Sequence, residues 1–391
     1  MKLKKKINCL ICNYSLHAIF SKKIINITSS GNFDISIKVC KCCGFVSQRK
    51  ILSPQKLVKY YKSVANYSNS GNDYNPKEIV KTDVSSQIKF IKKNLKTKKK
   101  ILQVGSSNGY TLSKLKRYSK SSVGIEPSLQ SCQIARKKYN LKNIICKNFE
   151  QAYKKIGKFD IIILTHVLEH LADPLKVLKI LFEKLEENGR ILIEVPYLSN
   201  HKYLPINYFT FEHLYYFDSN ALINLINKSG FEVEGKIQIN LKHKVYPIQR
   251  MIIKKRKKLN KINIIKNSRV RNFNILKNYE IKNSKNTKFL IKKILNSLKG
   301  KDNVVWGAGA HSSILFSGQR KILKRVNFFV DSDPKKINKK IYNKIIISPK
   351  KFLQIKSNNT KVITSTITEY QINNFLKKNK FNMKNIINLY N

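Results

Sequence analysis

The sequence predicts a doubly wound, mostly parallel α/β sheet, and three ordered segments carry the prediction. ILQV (101–104) is a short apolar strand that runs into the turn GSSNG (105–109) and then a helix. GIEPS (124–128) closes a second strand at Glu126, about 20 residues further on. FDIIILTHVLEH (159–170) is a third buried strand that ends in polar groups.

Each segment has a chemical reason. Gly105 and Gly109 let the backbone turn tightly and approach a ligand, with Ser106 between them. The carboxylate of Glu126 suits the two hydroxyls of a ribose. His166 follows the third strand and is expected to line the same site, because ligands of open α/β sheets sit at the carboxyl edge. A fourth strand, NIIC (143–146), leads to Asn148, placed to meet an adenine edge. A dinucleotide-binding dehydrogenase would want G-x-G-x-x-G and room for a pyrophosphate, and GSSNG lacks that arrangement.

The alternation continues along the chain. DPLKVLKILFEKLEENG (173–189) reads as a helix closed by Gly189, followed by the strand RILIEVPYL (190–198). A helix over 215–231, ended by Gly230, leads to the strand FEVEGKIQI (231–239). These elements delimit a core at 96–240. The polar, tyrosine-rich 51–95 reads as helices with a lid segment over the cofactor, or as a linker. The Lys-, Ile- and Asn-rich 241–300 reads as a helical connector.

Residues 1–50 form a cysteine module. Cys9 and Cys12 make one CxxC knuckle, Cys40 and Cys43 another, with 27 residues between the two pairs. Four thiolates in this pattern predict a closed, structural zinc site. An intervening hairpin (24–39, turn SSGN) fills the spacing, Cys42 is a bystander, and Cys132 and Cys146 belong to the core. Residues 301–391 begin a second α/β unit: VVWGAGAHSSILF (304–316) is strand, glycine turn and helix, and RVNFFVDSDP (325–334) ends a strand at Asp331. The turn there either holds a ligand, a sugar nucleotide in this reading, or packs strand on helix; the sequence leaves both open.

The net charge of +56 invites a nucleic-acid role. Lysine far outnumbers arginine, the residue suited to base and phosphate forks, so solvated lysine faces are the preferred reading and nucleic acid the lesser one. No apolar run reaches the roughly 20 residues of a membrane span. The basic start lacks an uninterrupted apolar stretch and a cleavage site, which places the chain in the cytoplasm, where CxxC pairs favour metal over disulfides. Oligomeric state is not readable.

The acceptor chemistry is expected in PINYFTFEHLYYFD (205–218), after the fifth strand. His213 is the candidate general base and Glu212 its acidic neighbour. His166 is the alternative base. Glu169 and His170 are expected to order the loop or cap the following helix, and Tyr208, Tyr215 and Tyr216 to line the pocket or pack.

GSSNG resembles the first motif of class I S-adenosylmethionine methyltransferases, and HVLEHxxDP a signature of the same superfamily. The whole chain resembles the three-part sugar C-methyltransferases, through CxxC…CKCCG, GSSNG, GIEPS, HVLEHxxDP, EHLYYF and WGAGAHS…FVDSDP. The resemblance implies a zinc-binding first domain held by Cys9, Cys12, Cys40 and Cys43, a class I Rossmann-like core and a Rossmann-like last domain. It also implies methylation of carbon 3 in a nucleotide-linked 4-keto sugar, with His213 removing the proton beside the ketone and Glu212 assisting. Thr210 stands where the C-methylating members carry a tyrosine. An O- or N-methyltransferase of the same fold is the alternative.

Overall fold

The computed structural model describes residues 8–24, 33–48, 77–95, 97–206, 208–243, 246–257, 263–298, 300, 302–365 and 369–389. The expected SSGN turn and most of the tyrosine-rich segment lie outside them. The chain divides into two compact units, one of residues 1–20, 36–68 and 76–279, the other of 21–35, 69–75 and 280–391.

Strands β1 (Leu16–Ile24), β2 (Phe33–Cys40) and β3 (Val46–Gln48) follow the first cysteines. Then come β4 (Lys99–Val104), β5 (Ser119–Ile125), β6 (Ile144–Ile145), β7 (Phe159–Thr165) and β8 (Leu185–Pro196). A short β9 (Tyr215–Tyr216), β10 (Phe231–Asn240) and β11 (Ile248–Lys255) complete the unit. The main sheet has the order β10-β11-β8-β7-β4-β5-β6. The pairs from β6 through β8 are parallel, and β11 is antiparallel to both its neighbours. Strand order reverses at β4, which has β5 on one side and β7 on the other, so a crevice opens beyond its carboxyl end.

Burial on both faces dictates the strand sequences. Ile161 to Leu164 of β7 and Ile191 to Ile193 of β8 are all buried, as unbroken apolar runs in a covered parallel sheet must be. The helix Pro174–Lys184 starts at Asp173, whose carboxylate accepts from Lys176 N at 2.9 Å. Its Leu178 and Leu181 are fully buried, each contributing roughly 1.5–3 kcal/mol. The helix ends at Lys184, five residues before Gly189. Leu185 is fully buried and already pairs with Phe159, and the chain bulges before Arg190 meets Ile161. The helix Ser219–Lys228 is capped by Asp218 on Ala221 N at 2.8 Å and ends before Gly230, as its sequence predicts.

One element departs from expectation. Residues 248–255, read as part of a helical connector, form β11. Its polar Gln249 and Arg250 disguise a central strand, and both are buried. A 30-residue helix, Ser268–Ser297, does follow. Cys132 and Cys146 lie in the core as expected, Cys132 fully buried and Cys146 packed against the same cluster, and the structure joins them as a disulfide.

The cysteine module is built into its surroundings. β3 pairs with β9, Val46 opposite Tyr216 and Ser47 opposite Tyr215, in a sheet ordered β1-β2-β3-β9. Lys228 Nζ donates to the carbonyls of Leu10 and Ile11 at 3.1 and 2.7 Å. Cys9, Ile11, Cys40, Cys43 and Phe45 share one apolar core with β7, β8 and the helices over them.

In the other unit, β12 (Asn303–Trp306), β13 (Phe328–Val330), β14 (Lys340–Ile341), β15 (Lys344–Ile347), β16 (Lys361–Thr364) and β17 (Ile386–Asn388) form a second sheet. Its order is β14-β15-β13-β12-β16-β17, parallel except for β14.

Gly44 shows how tightly the module is seated. Its φ is +77°, and a Cβ there would lie 2.5 Å from the Ser268 carbonyl carbon, a backbone atom that cannot swing away. Gly44→Ala is therefore expected to cost at least about 2 kcal/mol, read as a lower midpoint in denaturant unfolding. An unchanged midpoint would show that the module sits more loosely than this.

Candidate active site

The turn after β4 is shaped by its contacts. Gly105 has φ +69°, and a Cβ on it would meet Val167 Cγ2 at 2.7 Å. Gly105 N and Ser106 N both donate to Ile125 O, at 2.8 and 3.1 Å, which fixes the turn against the end of β5. There Glu126 accepts from Ser107 N through Oε2 and from Ser128 N through Oε1, each at 2.9 Å. Each carboxylate oxygen has a second acceptor direction, which two ribose hydroxyls can fill. Burial raises the Glu126 pKa, and the two backbone N–H groups oppose the shift.

The other expected cofactor residues divide. His166 stands at the carboxyl end of β7, on the far side of β4 from Glu126. Ser106 is in the turn, but the position of its hydroxyl, 2.7 Å from where a Gly124 Cβ would lie, turns it toward β5. Gly109 faces Ala135 and Leu141 of the next helical layer. Asn148 caps the short helix Phe149–Ala152 through Oδ1, 3.0 Å from Gln151 N, so its amide nitrogen is the group that remains for a base edge.

On the β7 side lies a buried polar network. His166 has a left-handed φ of +53°. Its N–H donates to Glu194 O at 2.8 Å, and its Nε2 is 2.9 Å from Glu194 Oε1. Glu194 is paired in register with Thr165 of β7 and Arg250 of β11. Its carboxylate also accepts from Gln87 Nε2 at 3.0 Å and from Arg250 Nε. Arg250 in turn reaches Ser86 Oγ at 2.9 Å, so the helix Lys77–Lys93 is tied to the sheet. Burial opposes charge on Glu194, but His166, Arg250 and Gln87 outweigh it and bring its pKa down to about 2. Burial likewise opposes charge on His166, and Tyr246, Glu169 and Glu194 outweigh it, so its pKa is raised well above the ordinary value.

The expected acceptor segment meets this network. Leu214 N donates to Glu169 O at 2.7 Å. His170 Nδ1 is 3.1 Å from the Glu212 carbonyl. One ligand atom each from Glu169, His170 and His213 lies within 4.8 Å of the others. The rings of His170 and His213 are 4.8 Å apart, and Tyr246 lies 5.9 Å from the His166 ring and 6.1 Å from that of His213. His213 is buried, and burial, with His170 and His166 adding to it against Glu169, pushes its pKa down to about 3. It is neutral at physiological pH, as a base must be. Glu169, expected only to order the loop or cap a helix, is the carboxylate acting on His213, while Glu212 contributes its carbonyl to His170. The cap itself is Asp173.

Gln48, at the end of β3, fixes this loop from the module side. Its Nε2 donates to the carbonyls of Thr210 and His213, both at 2.7 Å. Thr210 N and O bond the Tyr216 hydroxyl at 3.1 and 2.9 Å. Tyr215 and Tyr216 are packed rather than open.

The four predicted metal ligands converge. Cys9 Sγ lies 3.6 Å from Cys43 Sγ, and Cys12 Sγ lies 3.3 Å from Cys40 and 3.6 Å from Cys43. A tetrahedral zinc site places sulfurs about 3.8 Å apart, so this cradle fits the ion. Cys42 donates its backbone N–H to Cys40 Sγ at 3.3 Å.

The glycine turn of the second unit is largely satisfied from within. Asp331 accepts from Ala308 N, Asp333 N and Lys336 Nζ, each at 2.9 Å. A ribose there would have to displace the lysine, which favours the packing reading.

Glu194, Gln87, Arg250 and Tyr246 were not anticipated. One signal was available: Glu194 is the only charge inside ILIEVPYL, and a carboxylate in an apolar strand needs partners.

Residues 77–235 match the family model described as a methyltransferase domain. A tRNA U34 carboxymethyltransferase of Campylobacter jejuni is 26% identical over 151 residues, 35% of this chain and 50% of that protein. The mitochondrial ubiquinone biosynthesis O-methyltransferase of Schizosaccharomyces pombe is 26% identical over 110 residues, 27% of this chain and 40% of that protein. The chain thus spans about half the length of the curated relatives it matches. Among solved structures, magnesium protoporphyrin IX methyltransferase from Synechocystis PCC 6803 with bound SAH aligns at TM-score 0.41 and 12% identity, covering 52% of this chain and 99% of that one. Residues 77–235 are an S-adenosylmethionine-dependent methyltransferase domain of the class I Rossmann-like fold. No helix among the described residues is long and apolar enough to cross a membrane.

The pKa shifts set an acid limit to stability. His213 is held neutral, so its folded pKa of about 3 lies below the unfolded value near 6.5. Its contribution is complete above that value and is lost as pH falls between the two. Glu194 adds a second loss between about 4.5 and its folded pKa of about 2. Unfolding free energy is expected to decline from about pH 6.5 downward, and His213→Asn to flatten the upper part of that decline. Equal slopes in wild type and variant would contradict the buried neutral histidine.

Proposed function

We propose that the chain methylates a nucleotide-linked keto sugar, or a related precursor of a surface polysaccharide, at carbon. The observation that carries this reading is His213: buried, neutral, and anchored through Gln48 and the cysteine module beside the carboxyl edge of the methyltransferase sheet. In this reading Glu126, the Gly105–Gly109 turn with Ser106, the Asn148 amide and the edge at His166 hold S-adenosylmethionine, which supplies an electrophilic methyl group. The ketone of the acceptor acidifies its neighbouring C–H, His213 takes that proton, and the carbanion is stored as an enolate. Glu212 steadies the loop through its carbonyl, and Glu169 offsets the proton gained by His213.

Zinc on Cys9, Cys12, Cys40 and Cys43 is structural here, since four thiolates leave no open position. It keeps β3, and with it Gln48, in register with β9. The assignment of 1–50 to this module, 96–240 to the core and 301–391 to a C-terminal α/β domain belongs to the same proposal, as does a cytoplasmic setting.

A second reading is supported by Thr210. Its place is a tyrosine in the C-methylating resemblance, and its backbone is occupied by Tyr216 and Gln48. O- or N-methylation of a small acceptor needs no enolate-stabilising phenol. The relatives named for tRNA and ubiquinone precursors act outside sugar chemistry, so RNA is a necessary control.

Labelled S-adenosylmethionine offered with keto and non-keto nucleotide sugars and with RNA separates these readings. Transfer to carbon of the keto sugar is expected; transfer only to non-keto acceptors or to RNA would overturn the proposal. His213→Asn should leave cofactor affinity within about threefold while lowering turnover by at least about 100-fold. Glu126→Ala should abolish cofactor binding in calorimetry with the fold retained, and unchanged affinity would remove it from the site. Chelation of zinc should lower turnover along with the near-ultraviolet signal of the Tyr215–Tyr216 loop; activity that survives full metal loss would detach the module from the site.

A further inference from the structure

We propose that His166 is a catalytic hydrogen-bond donor to the ketone oxygen of the acceptor, the electrophilic partner of His213. This deepens the keto-sugar reading and rests on it.

Geometry assigns the role. The two histidines flank Tyr246, at 5.9 and 6.1 Å between ring centres, and the Glu169 carboxylate acts on both. Their partners differ. His213 has no hydrogen-bond partner for its buried Nδ1 among the described residues, so it can accept a proton. Glu194 holds His166 twice, taking its backbone N–H through a carbonyl and its Nε2 through a carboxylate. A carboxylate on Nε2 requires a proton there. A second proton on Nδ1 then faces no hydrogen-bond partner among the described residues except Glu169, 3.4 Å away, longer than a good bond. The side chain as a whole retains 28% exposure, while Nδ1 itself is a buried donor position without a good partner among the described residues. The left-handed backbone at His166, at the end of a central strand, is the kind of conformation kept where a side chain must be aimed.

The groups around His166 favour its charged form. Glu194 on β8 and Glu169 on its own loop are anionic, Tyr246 is beside it, and Arg250 on β11 reaches it only through Glu194; His213 is neutral. Two histidines in one pocket with opposite protonation form an acid–base pair.

The step balances. His213 takes the proton from the carbon beside the ketone. The C–H electron pair becomes the carbon–carbon double bond of the enolate, and the carbonyl π pair moves to oxygen. His166 donates a hydrogen bond from Nδ1 to that oxygen and keeps its proton. No oxidant or further reactant is required.

The test follows exchange of the hydrogen beside the ketone of a nucleoside-diphosphate-linked 4-keto sugar, in D2O without S-adenosylmethionine. The full chain is used with zinc bound. Wild type should exchange, and His213→Asn should not; failure of either overturns the keto-sugar reading itself. His166→Gln and His166→Asn should slow exchange by roughly 100- to 1,000-fold, the loss seen for oxyanion donors. Exchange within threefold of wild type, or a loss confined to cofactor affinity, would overturn the role of His166 alone. Glu194→Gln supplies a readout that packing would not move. The wild-type exchange rate should fall on the alkaline side as His166 loses its proton, and the variant should bring that fall to lower pH. An alkaline limb that stays in place would also overturn the proposal, and this arm decides the matter should neither His166 variant fold.

Discussion

A carboxylate in the middle of a covered sheet must be paired or the strand cannot be buried, and Glu194 imposes that demand on everything around it. Stripping water from an unpaired carboxylate costs several kcal/mol. Glu194 meets the cost with His166 from β7, Arg250 from β11 and Gln87 from the helix Lys77–Lys93. Three elements distant in sequence are thus held at one point on the carboxyl edge. The loop after β7, the antiparallel strand and the helix Lys77–Lys93 cannot shift independently without stranding a charge. Breaking one partner is more damaging than the pairing is stabilising, so the network acts mainly to fix geometry.

The cysteine module answers a second constraint. The segment that carries His213 has only a two-residue strand of its own, β9, and short strands are marginal alone. β3 supplies the neighbour, and Gln48 satisfies the His213 carbonyl and shares that of Thr210 with the Tyr216 hydroxyl. The thiols that hold the module are nearly 30 residues apart in sequence yet meet at 3.3–3.6 Å, and an ion there would make that convergence independent of a large local core. The module is therefore part of the wall of the site rather than an appendage.

These relations explain what the sequence disclosed. The order of β4, β5 and β7, the turn at Gly105, the carboxylate at Glu126 and the caps at Asp173 and Asp218 are local patterns with local causes, and the class I fold followed from them. The convergence of four cysteines was legible because metal ligands obey spacing rules. β11 was not legible. Its Gln249 and Arg250 are polar for the sake of partners 32 and 56 residues away, Phe217 O and Glu194, and such pairings leave no periodicity. The nearness of Glu169 to His213 was not legible either, because the two meet across a loop that no single-segment pattern spans, whereas the loop-ordering role read for Glu169 stands in its carbonyl, which accepts from Leu214 N.

The charge balance sharpens the meaning of the buried acids. The chain has 78 basic and only 22 acidic residues, so a compositional drift toward lysine has left few carboxylates anywhere. Three of them, Glu126, Glu169 and Glu194, are buried around the crevice of the methyltransferase sheet. A drift with no structural constraint would remove acids indifferently, and buried ones cost the most to keep. Each of these three has an electrostatic task that lysine, asparagine or isoleucine cannot take over: accepting two backbone N–H groups, acting on His213, and holding His166 with Arg250. The surrounding lysines then act at longer range. They raise the potential over the whole surface, which favours the approach of an anionic acceptor without specifying it. In the proposed reaction, choice among anions falls to the crevice, where neutral His213 and the paired His166 would present a proton acceptor and a proton donor to the same small volume.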